Sequence, residues 1–167
     1  MQSITTRKQA QAPSSPALAR QLLGFFRFMW ASGDSDFMRE VTELELTFTQ
    51  FKALMLLAHD PGELSVKDVS DRLGISLPAA SRAVDPLVRR GIVERAEDPL
   101  DRRVKRVHTT KDGDRLVERL IATRIESFEA LLEDFSAAER RKLGDALQEI
   151  ILARPEVARY CPKGSRR

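Results

Sequence analysis

The chain of 167 residues has little cysteine and histidine, the residues that disulfide frameworks and zinc centres use. Its single cysteine, Cys161, cannot form an internal disulfide or a thiolate cage, which favours a reducing, cytoplasmic location. The two histidines, His59 and His108, are far apart with no cysteine near either, so we expect no metal site and no cofactor. No serine or cysteine nucleophile has a recognisable setting, and no glycine-rich phosphate loop occurs. The sequence therefore argues against an enzyme.

Long apolar runs are also missing. The runs that occur are short, such as residues 53–58, whereas a bilayer-spanning helix needs about 20 apolar residues. Residues 1–15 are polar and contain no apolar signal core, so we expect neither secretion nor a membrane partner. With 42% hydrophobic and 32% charged residues, the composition is that of a folded domain with a core.

The net charge of +3, from 28 basic and 25 acidic residues, is too small to indicate a partner by itself. The distribution is more informative, because residues 82–106 hold eight basic and five acidic residues, an excess of three. Arginine supplies 21 of the 28 basic residues, and its planar guanidinium suits forked contacts to phosphates and bases.

Helical periodicity covers most of the chain, and cap residues mark where the helices begin. Thr47 with Gln50 has the spacing of a capping box, Ser65 repeats the capping pattern, and Ser76, Thr110 and Ser136 are further N-caps. Glycines at 74 and 91 predict two helix ends. The predicted helices cover residues 16–31, 48–59, 66–73, 77–90 and 111–134, with a last helix after Ser136 and a further helical piece at 37–44. We predict a mainly helical fold of about six helices.

Between residues 91 and 110 the apolar period changes from 3.6 to 2. Residues 92–95 and 104–109 predict two short strands, and the charged segment 96–103 predicts the loop between them. Two short helices meeting at residues 73–76, followed by a two-stranded hairpin, form the winged helix-turn-helix pattern. In that pattern the second helix lies in the major groove of DNA.

The second helix has the two faces that this role needs. A helical wheel places Val84 and Leu87 on a face to be buried, and Arg82 and Arg89 on the opposite face. Small residues near the N-terminus let the backbone approach DNA, while Arg82 can fork onto guanine or neutralise a phosphate. Serine hydroxyls and the helix N-terminus favour phosphates. The predicted DNA contacts of this helix are Ser76, Pro78, Ala79, Ser81, Arg82 and Arg89.

One residue conflicts with a regular helix. Pro86 removes a backbone hydrogen bond and crowds the carbonyl of Arg82, at a cost of about 3 kcal/mol in a helix interior. We expect a kink at Pro86, or an early end to the part that enters the groove.

The tip of the predicted hairpin adds Arg102 and Arg103, with Asp98 and Asp101 beside them. An acid next to an arginine can hold the guanidinium in one orientation, which suits insertion into a narrow minor groove. We therefore predict DNA contacts by Asp101, Arg102 and Arg103. Two plainer interpretations stay open, since loop arginines are often only solvated charges and Arg89 can simply stabilise a helix C-terminus.

Three segments resemble the MarR family of bacterial regulators: residues 65–76, residues 80–91, and residues 98–103 followed by Thr110 to Gly113. The pattern Asp-x-Arg ahead of a threonine maps Asp101 and Arg103 onto the family's wing pair, whose arginine enters the minor groove. The similarity covers roughly residues 47–120, and Pro86 is unusual for it. The resemblance implies a homodimer with intertwined terminal helices, and gene repression or activation that a small anionic or phenolic ligand often relieves.

The predicted organisation has five parts. Residues 1–15 and 162–167 are expected to be mobile tails. Residues 16–46 and 111–161 are expected to be dimerisation helices, because each helix is too apolar on one side to stand alone in water. Residues 47–110 are the winged helix-turn-helix domain. A two-fold dimer implies a pseudo-palindromic operator with half-sites roughly 34 Å apart.

Aromatic residues cluster near the predicted junction of dimer helices and winged domain. Either they line a ligand cavity or they form ordinary core, and the indole N–H of Trp30 makes it the best single candidate for a ligand contact. The candidate ligand contacts are Phe26, Trp30, Phe48, Phe51 and Met55. The function predicted is a dimeric, sequence-specific regulator of transcription on double-stranded DNA, a repressor responsive to an aromatic or anionic small molecule. The alternative is a winged-helix module that binds a protein and no DNA.

Overall fold

The computed structural model describes residues 13–31, 35–60, 62–98 and 105–161, without the side chains of Trp30 and Ser35. These residues contain eight α-helices and three strands. In chain order the elements are α1 (Ser15–Ala31), α2 (Ser35–Glu43), α3 (Phe48–His59), β1 (Leu64–Ser65), α4 (Val66–Leu73), α5 (Leu77–Arg89), β2 (Val93–Glu97), β3 (Lys105–Thr109), α6 (Lys111–Glu133), α7 (Ala137–Ala153) and α8 (Pro155–Ala158). The mainly helical winged-helix fold predicted from the sequence is confirmed.

The chain divides into two compact units at Gly33. In the first unit, the helix α1 carries Leu18, Leu22 and Phe26 at a spacing of four residues, and all three are exposed. In the second unit, α2 to α8 and the sheet follow. The tails expected at 1–15 and 162–167 lie outside the described residues except for 13–15, where Ser15 already begins α1.

The helices begin where the sequence places their caps. Thr47, Ser65 and Ser136 each form a full capping box, and Ser76 and Thr110 accept from a backbone N–H in the first turn. In the box of α4 the Ser65 hydroxyl and backbone N–H both donate to Asp68 Oδ2, at 2.6 and 2.8 Å. These two bonds, the side-chain bond first, lower the pKa of the Asp68 carboxyl.

The sheet is antiparallel with strand order β1-β3-β2. The first strand of the hairpin, β2, extends from Val93 to Glu97. It therefore starts one residue later than the predicted strand 92–95 and includes residues 96 and 97, which were predicted to belong to the loop. The strand β1 was not predicted, because its two residues are ordered by pairing with β3, where Leu64 faces Val107. The wing hairpin is thus part of a three-stranded sheet.

One apolar core joins the winged helix-turn-helix elements to the first half of α6. Its largest fully buried side chains come from α3, α4, α5, both hairpin strands and α6. They are Leu54, Val69, Val84, Leu87, Val93, Val107 and Leu120. Because α5 shares this core with every neighbouring element, its position relative to the hairpin is fixed by packing.

Polar and cation–π contacts fasten α2 to α6. Glu40 accepts from Arg119 Nε at 2.5 Å and from Thr123 Oγ1 at 2.9 Å. The Arg124 guanidinium lies 5.3 Å from the ring centroid of Phe37 and 4.4 Å from that of Phe128. Burial raises the pKa of Glu40, but the bonds from Arg119 and Thr123 outweigh it and leave that pKa lowered.

The side chains of the last two helices, α7 and α8, are largely exposed to solvent in the single chain. No residue of α7 is buried, and its apolar residues Leu147, Ile150 and Leu152 are exposed. The short helix α8, which the sequence did not predict, starts at Pro155 in the first-turn position that proline favours. Among the described residues, no helix is long and apolar enough to cross a membrane.

Candidate nucleic-acid interface

A tight turn sets the start of α5 against α4. Gly74 ends α4 with a φ of 65°, a left-handed conformation that glycine adopts without a steric penalty. The turn is closed by Ile75 N–H donating to the Ser70 carbonyl at 3.1 Å and by the Ser70 hydroxyl donating to the Ile75 carbonyl at 2.6 Å. Ser76 then caps α5, accepting from Ala79 N–H at 3.4 Å, with Pro78 in the first turn.

The faces of α5 are those that the helical wheel predicts. Ala80, Ala83, Val84 and Leu87 are buried in the core. Of the predicted DNA contacts, Ser76, Pro78, Arg82 and Arg89 are exposed, while Ala79 and Ser81 are half-buried. The structure therefore brings these six residues together at the N-terminus and along the uncovered side of one helix.

Pro86 does not end the helix. The α5 helix continues through Pro86 to Arg89, and the N–H of Arg90 donates to the Pro86 carbonyl at 3.1 Å. Leu87, directly beyond the proline, is anchored in the core. The expectation of a kink, or of an early end to the part that enters the groove, stays a prediction.

Several of the basic residues counted along residues 82–106 form ion pairs with acidic side chains. Arg95 pairs with Asp85 at 2.5 Å, Lys105 with Glu97 at 2.7 Å, and Arg106 with Asp98 at 2.6 Å. Arg90 donates to the Leu44 carbonyl, which ties the end of α5 to the segment before α3. Arg82 and Arg89 form no ion pair with any residue that the structure describes. They are therefore the cations of α5 that the fold leaves available to an external anion.

The wing is described only along its two strands, so Asp101, Arg102 and Arg103 lie outside the described residues. At the edge of that gap, Asp98 is only 6% exposed and its carboxylate accepts from Arg106. Arg106 also donates to the Glu63 carbonyl at 3.1 Å. The sequence did not single out this buried pair, because only the fold shows that Asp98 is buried.

The candidate ligand residues lie in different surroundings. Phe51 and Met55 are half-buried and pack against the core of the winged domain, as the ordinary-core alternative expects. Phe48 is 77% exposed, with Lys52 Nζ 5.8 Å from its ring centroid. Phe26 is exposed on α1, in the first unit, and the side chain of Trp30 lies outside the described residues.

Comparison with known proteins agrees with this geometry. A sequence model of the MarR family matches residues 44–104, which span the helix-turn-helix and most of the wing. YsmB of Bacillus subtilis, an uncharacterized HTH-type transcriptional regulator, is 28% identical over 102 residues, covering 60% of this chain and 69% of YsmB. RV1404 from Mycobacterium tuberculosis has a similar structure, with a TM-score of 0.69 and 25% identity over 86% of this chain and 96% of RV1404. The chain is therefore similar to the MarR family along its winged helix-turn-helix segment.

The family match and the relative named an HTH-type transcriptional regulator support a transcriptional regulator with a DNA-binding winged-helix fold. Its fold is also that of MepR from Staphylococcus aureus. A MepR mutant bound to an oligodeoxyribonucleotide matches with a TM-score of 0.59 and 23% identity over 81% of this chain and 96% of MepR. MepR bound to ethidium bromide matches with a TM-score of 0.57 and 22% identity, over 84% and 96% of the two chains.

The two histidines take part in local contacts. His59 Nδ1 donates to the Met55 carbonyl at 2.7 Å, and its ring lies 5.6 Å from that of Tyr160. His108 Nε2 is 2.7 Å from Glu94 Oε1, across the register of the hairpin. The described part of the chain has no group of three or more His, Cys, Asp or Glu side chains that could hold a metal ion.

Proposed function

We propose that this protein is a dimeric MarR-family transcriptional repressor that binds a pseudo-palindromic operator in double-stranded DNA, in the cytoplasm, and releases it when an aromatic or anionic small molecule binds. The observation that carries the proposal is the outer side of α5, where Arg82 and Arg89 are exposed on a helix whose N-terminus is capped by Ser76. The other steps follow from this surface and from the helices around it.

Arg82 is the residue to which we assign base readout. Its side chain is exposed in the middle of α5, one turn beyond Pro78, and Ala79 beside it is small enough for close approach to a groove wall. A guanidinium in that place can donate to O6 and N7 of guanine. Ser76, Ser81 and the helix N-terminus would hold phosphates, and Arg89 would neutralise one at the other end of α5.

We assign the second contact to the wing. By the resemblance of Asp101 and Arg103 to the family's wing pair, Arg103 would enter the minor groove with Asp101 orienting it, and Arg102 would add a phosphate contact. The hairpin strands β2 and β3 that lead to this tip are paired along five residues each, which supports a wing of fixed direction.

Dimerisation is proposed from the apolar faces that the single chain leaves in water. Leu18 and Leu22 on α1, and Leu147, Ile150 and Leu152 on α7, are exposed large apolar side chains on helices that flank the winged domain. Burying such surface contributes about 25 cal/mol for each Å² removed from water. A two-fold pairing of these helices would hold two copies of α5 roughly one turn of DNA apart.

The proposed ligand response takes its support from a protein with a similar fold. MepR has been solved with ethidium bromide, an aromatic cation. In this chain the candidates for an aromatic ligand remain Phe26, Trp30, Phe48, Phe51 and Met55. Binding there would change the separation of the two recognition helices and so release the operator.

An electrophoretic shift with the DNA upstream of its own gene, repeated over a range of salt, tests the proposal. We expect a shift that weakens steeply with salt, and a weaker shift for Arg82→Ala. Arg39→Ala is the matched control, because Arg39 is an exposed arginine on α2 that pairs with Asp36 at 2.9 Å. Equal binding by both variants would remove Arg82 from the interface, whereas no salt-dependent shift with the wild-type protein would favour a protein-binding module instead. Sedimentation as a monomer at micromolar concentration would contradict the dimer.

A further inference from the structure

One ion pair joins the recognition helix to the wing. Asp85 Oδ1 of α5 and Arg95 Nη2 of β2 are 2.5 Å apart, and the two side chains are 38% and 32% exposed. Arg95 faces Val107 across the hairpin and follows the buried Val93 by two residues. Because side chains two residues apart lie on the same face of a strand, Arg95 leaves the sheet on the face that packs against α5. Its guanidinium therefore lies in the groove between α5 and the hairpin.

The position of Asp85 needs an explanation. An acid on the DNA-facing side of a recognition helix repels phosphates, and it stands three residues after Arg82 and four before Arg89, either of which is a suitable partner by helical spacing. In the structure the carboxylate pairs with Arg95 of the hairpin instead. The two arginines of α5 thus form no ion pair with a described residue, and the carboxylate holds a third arginine, Arg95, beside the helix.

The guanidinium of Arg95 keeps donors for another acceptor. Arginine has five N–H donors in a planar fork, and the bond to Asp85 uses Nη2. Within the part of the chain that the structure describes, no other acceptor takes a hydrogen bond from Arg95. A guanidinium that is fixed by one carboxylate and partly open to solvent is pre-ordered for a second anion.

We propose that Arg95 binds a phosphate of the DNA backbone in the groove between α5 and the wing, and that Asp85 is its positioning residue. The proposal rests on the proposed function, since it needs α5 and the wing to engage one duplex. It adds Arg95 to the DNA-binding residues and gives Asp85 a role that raises affinity despite its negative charge.

The test measures affinity for a duplex selected from a random library by the full-length protein, at several salt concentrations. A lost phosphate contact lowers the slope of log K against log salt by about 0.9, so Arg95→Gln should bind about tenfold more weakly at 0.1 M salt. Arg95→Lys keeps the charge and should keep the slope. Arg39→Gln makes the same change in the exposed pair with Asp36 and should alter neither quantity.

Whether Asp85→Ala weakens or strengthens DNA binding distinguishes two roles of the Asp85 carboxylate, which are to orient Arg95 and to repel phosphates. Removing an acid that only repels DNA strengthens binding, whereas removing the residue that orients Arg95 weakens it. We expect Asp85→Ala to weaken binding severalfold in the wild-type chain, and to strengthen it or leave it unchanged when Arg95→Gln is also present. This interaction between the two substitutions is what a double-mutant cycle measures.

Two results would overturn the inference. One is a weaker Arg95→Gln protein with the wild-type salt slope, which would make the pair a link within the fold and nothing more. The other is stronger binding by Asp85→Ala while Arg95 is intact. Circular dichroism melts of each variant check that the winged domain is folded. If the wild-type chain bound no duplex at all, the proposed function itself would fail, which is a different outcome from either of these.

Discussion

Replacing Gly113 by alanine should destabilise the protein, although alanine favours helices. Gly113 is the third residue of α6, and a Cβ built on it lies 2.0 Å from the Ile92 carbonyl oxygen and 3.0 Å from the Ile92 carbonyl carbon. Both atoms belong to the backbone, so no side-chain rotation relieves the contact. The same place holds two hydrogen bonds, from Thr110 N–H to the Ile92 carbonyl at 3.2 Å and from the Thr110 hydroxyl to the Gly91 carbonyl at 2.6 Å.

The magnitude follows from these contacts. The start of α6 must move by about 1 Å or more to bring the Cβ to an ordinary distance, and overpacking of this kind costs about 1–3 kcal/mol. The shift also weakens the two bonds of Thr110, each worth about 1 kcal/mol net. Alanine returns about 1 kcal/mol through its helix propensity. We expect a net loss of about 3 kcal/mol, which lowers the melting temperature of a domain of this size by roughly 10 °C.

The assay is thermal and urea unfolding followed by circular dichroism, with Gly144→Ala as the control. Gly144 lies inside α7, where an added Cβ meets no atom within 4 Å, so the same substitution there should stabilise by up to about 1 kcal/mol. The substitution of glycine by alanine is therefore expected to lower the stability of the protein at position 113 and to raise it at position 144. A Gly113→Ala protein that melts at or above the wild-type temperature would refute the reasoning about the close approach.

Three further outcomes follow from the caps and the interface. Ser65→Ala should cost about 1 kcal/mol at neutral pH. Because Ser65 lowers the pKa of Asp68, the stability from their bonds is complete above the unfolded pKa and is lost as the pH falls through the lowered folded value. The difference between wild type and Ser65→Ala in urea unfolding should therefore shrink as the pH is taken below 3.8. Arg82→Ala should cost about 1–3 kcal/mol of binding and relax the preference at one base pair, as competition between duplexes that differ at single positions would reveal. Arg103→Ala should weaken binding to all sequences and reduce the salt slope by about one unit, and a titration with unchanged affinity at every salt concentration would remove the wing from the interface.

Local chemistry explains why so much of the fold could be predicted from the sequence. A capping box needs only four consecutive residues. Thr47 and Ser65 therefore predict the starts of α3 and α4 without knowledge of the rest of the chain. The same holds for Gly74, whose left-handed conformation ends α4. The face of α5 that carries Arg82 follows from its helical period alone.

Features that depend on distant partners could not be predicted in this way. The strand β1 exists because Leu64 pairs with Val107. The Arg90 side chain donates a hydrogen bond to the Leu44 carbonyl, which is 46 residues away in the sequence. Counting charges along residues 82–106 therefore overstated the free positive charge, since it could not know which arginines the fold occupies. For the same reason the aromatic pattern alone could not separate the exposed Phe48 from the half-buried Phe51.

The junction of α5, β2 and α6 has a geometric consequence. The carbonyls of Gly91 and Ile92, just beyond α5, are both bound by Thr110 at the start of α6. The helix α6 has 23 residues and is therefore about 34 Å long, so a tilt of about 5° around this junction displaces its far end by about 3 Å. In the opposite direction, a displacement of about 3 Å at the far end corresponds to a tilt of about 5° at this junction, where α5 ends. The length of α6 thus sets how small a rotation at this junction corresponds to a given displacement at the far end of the helix.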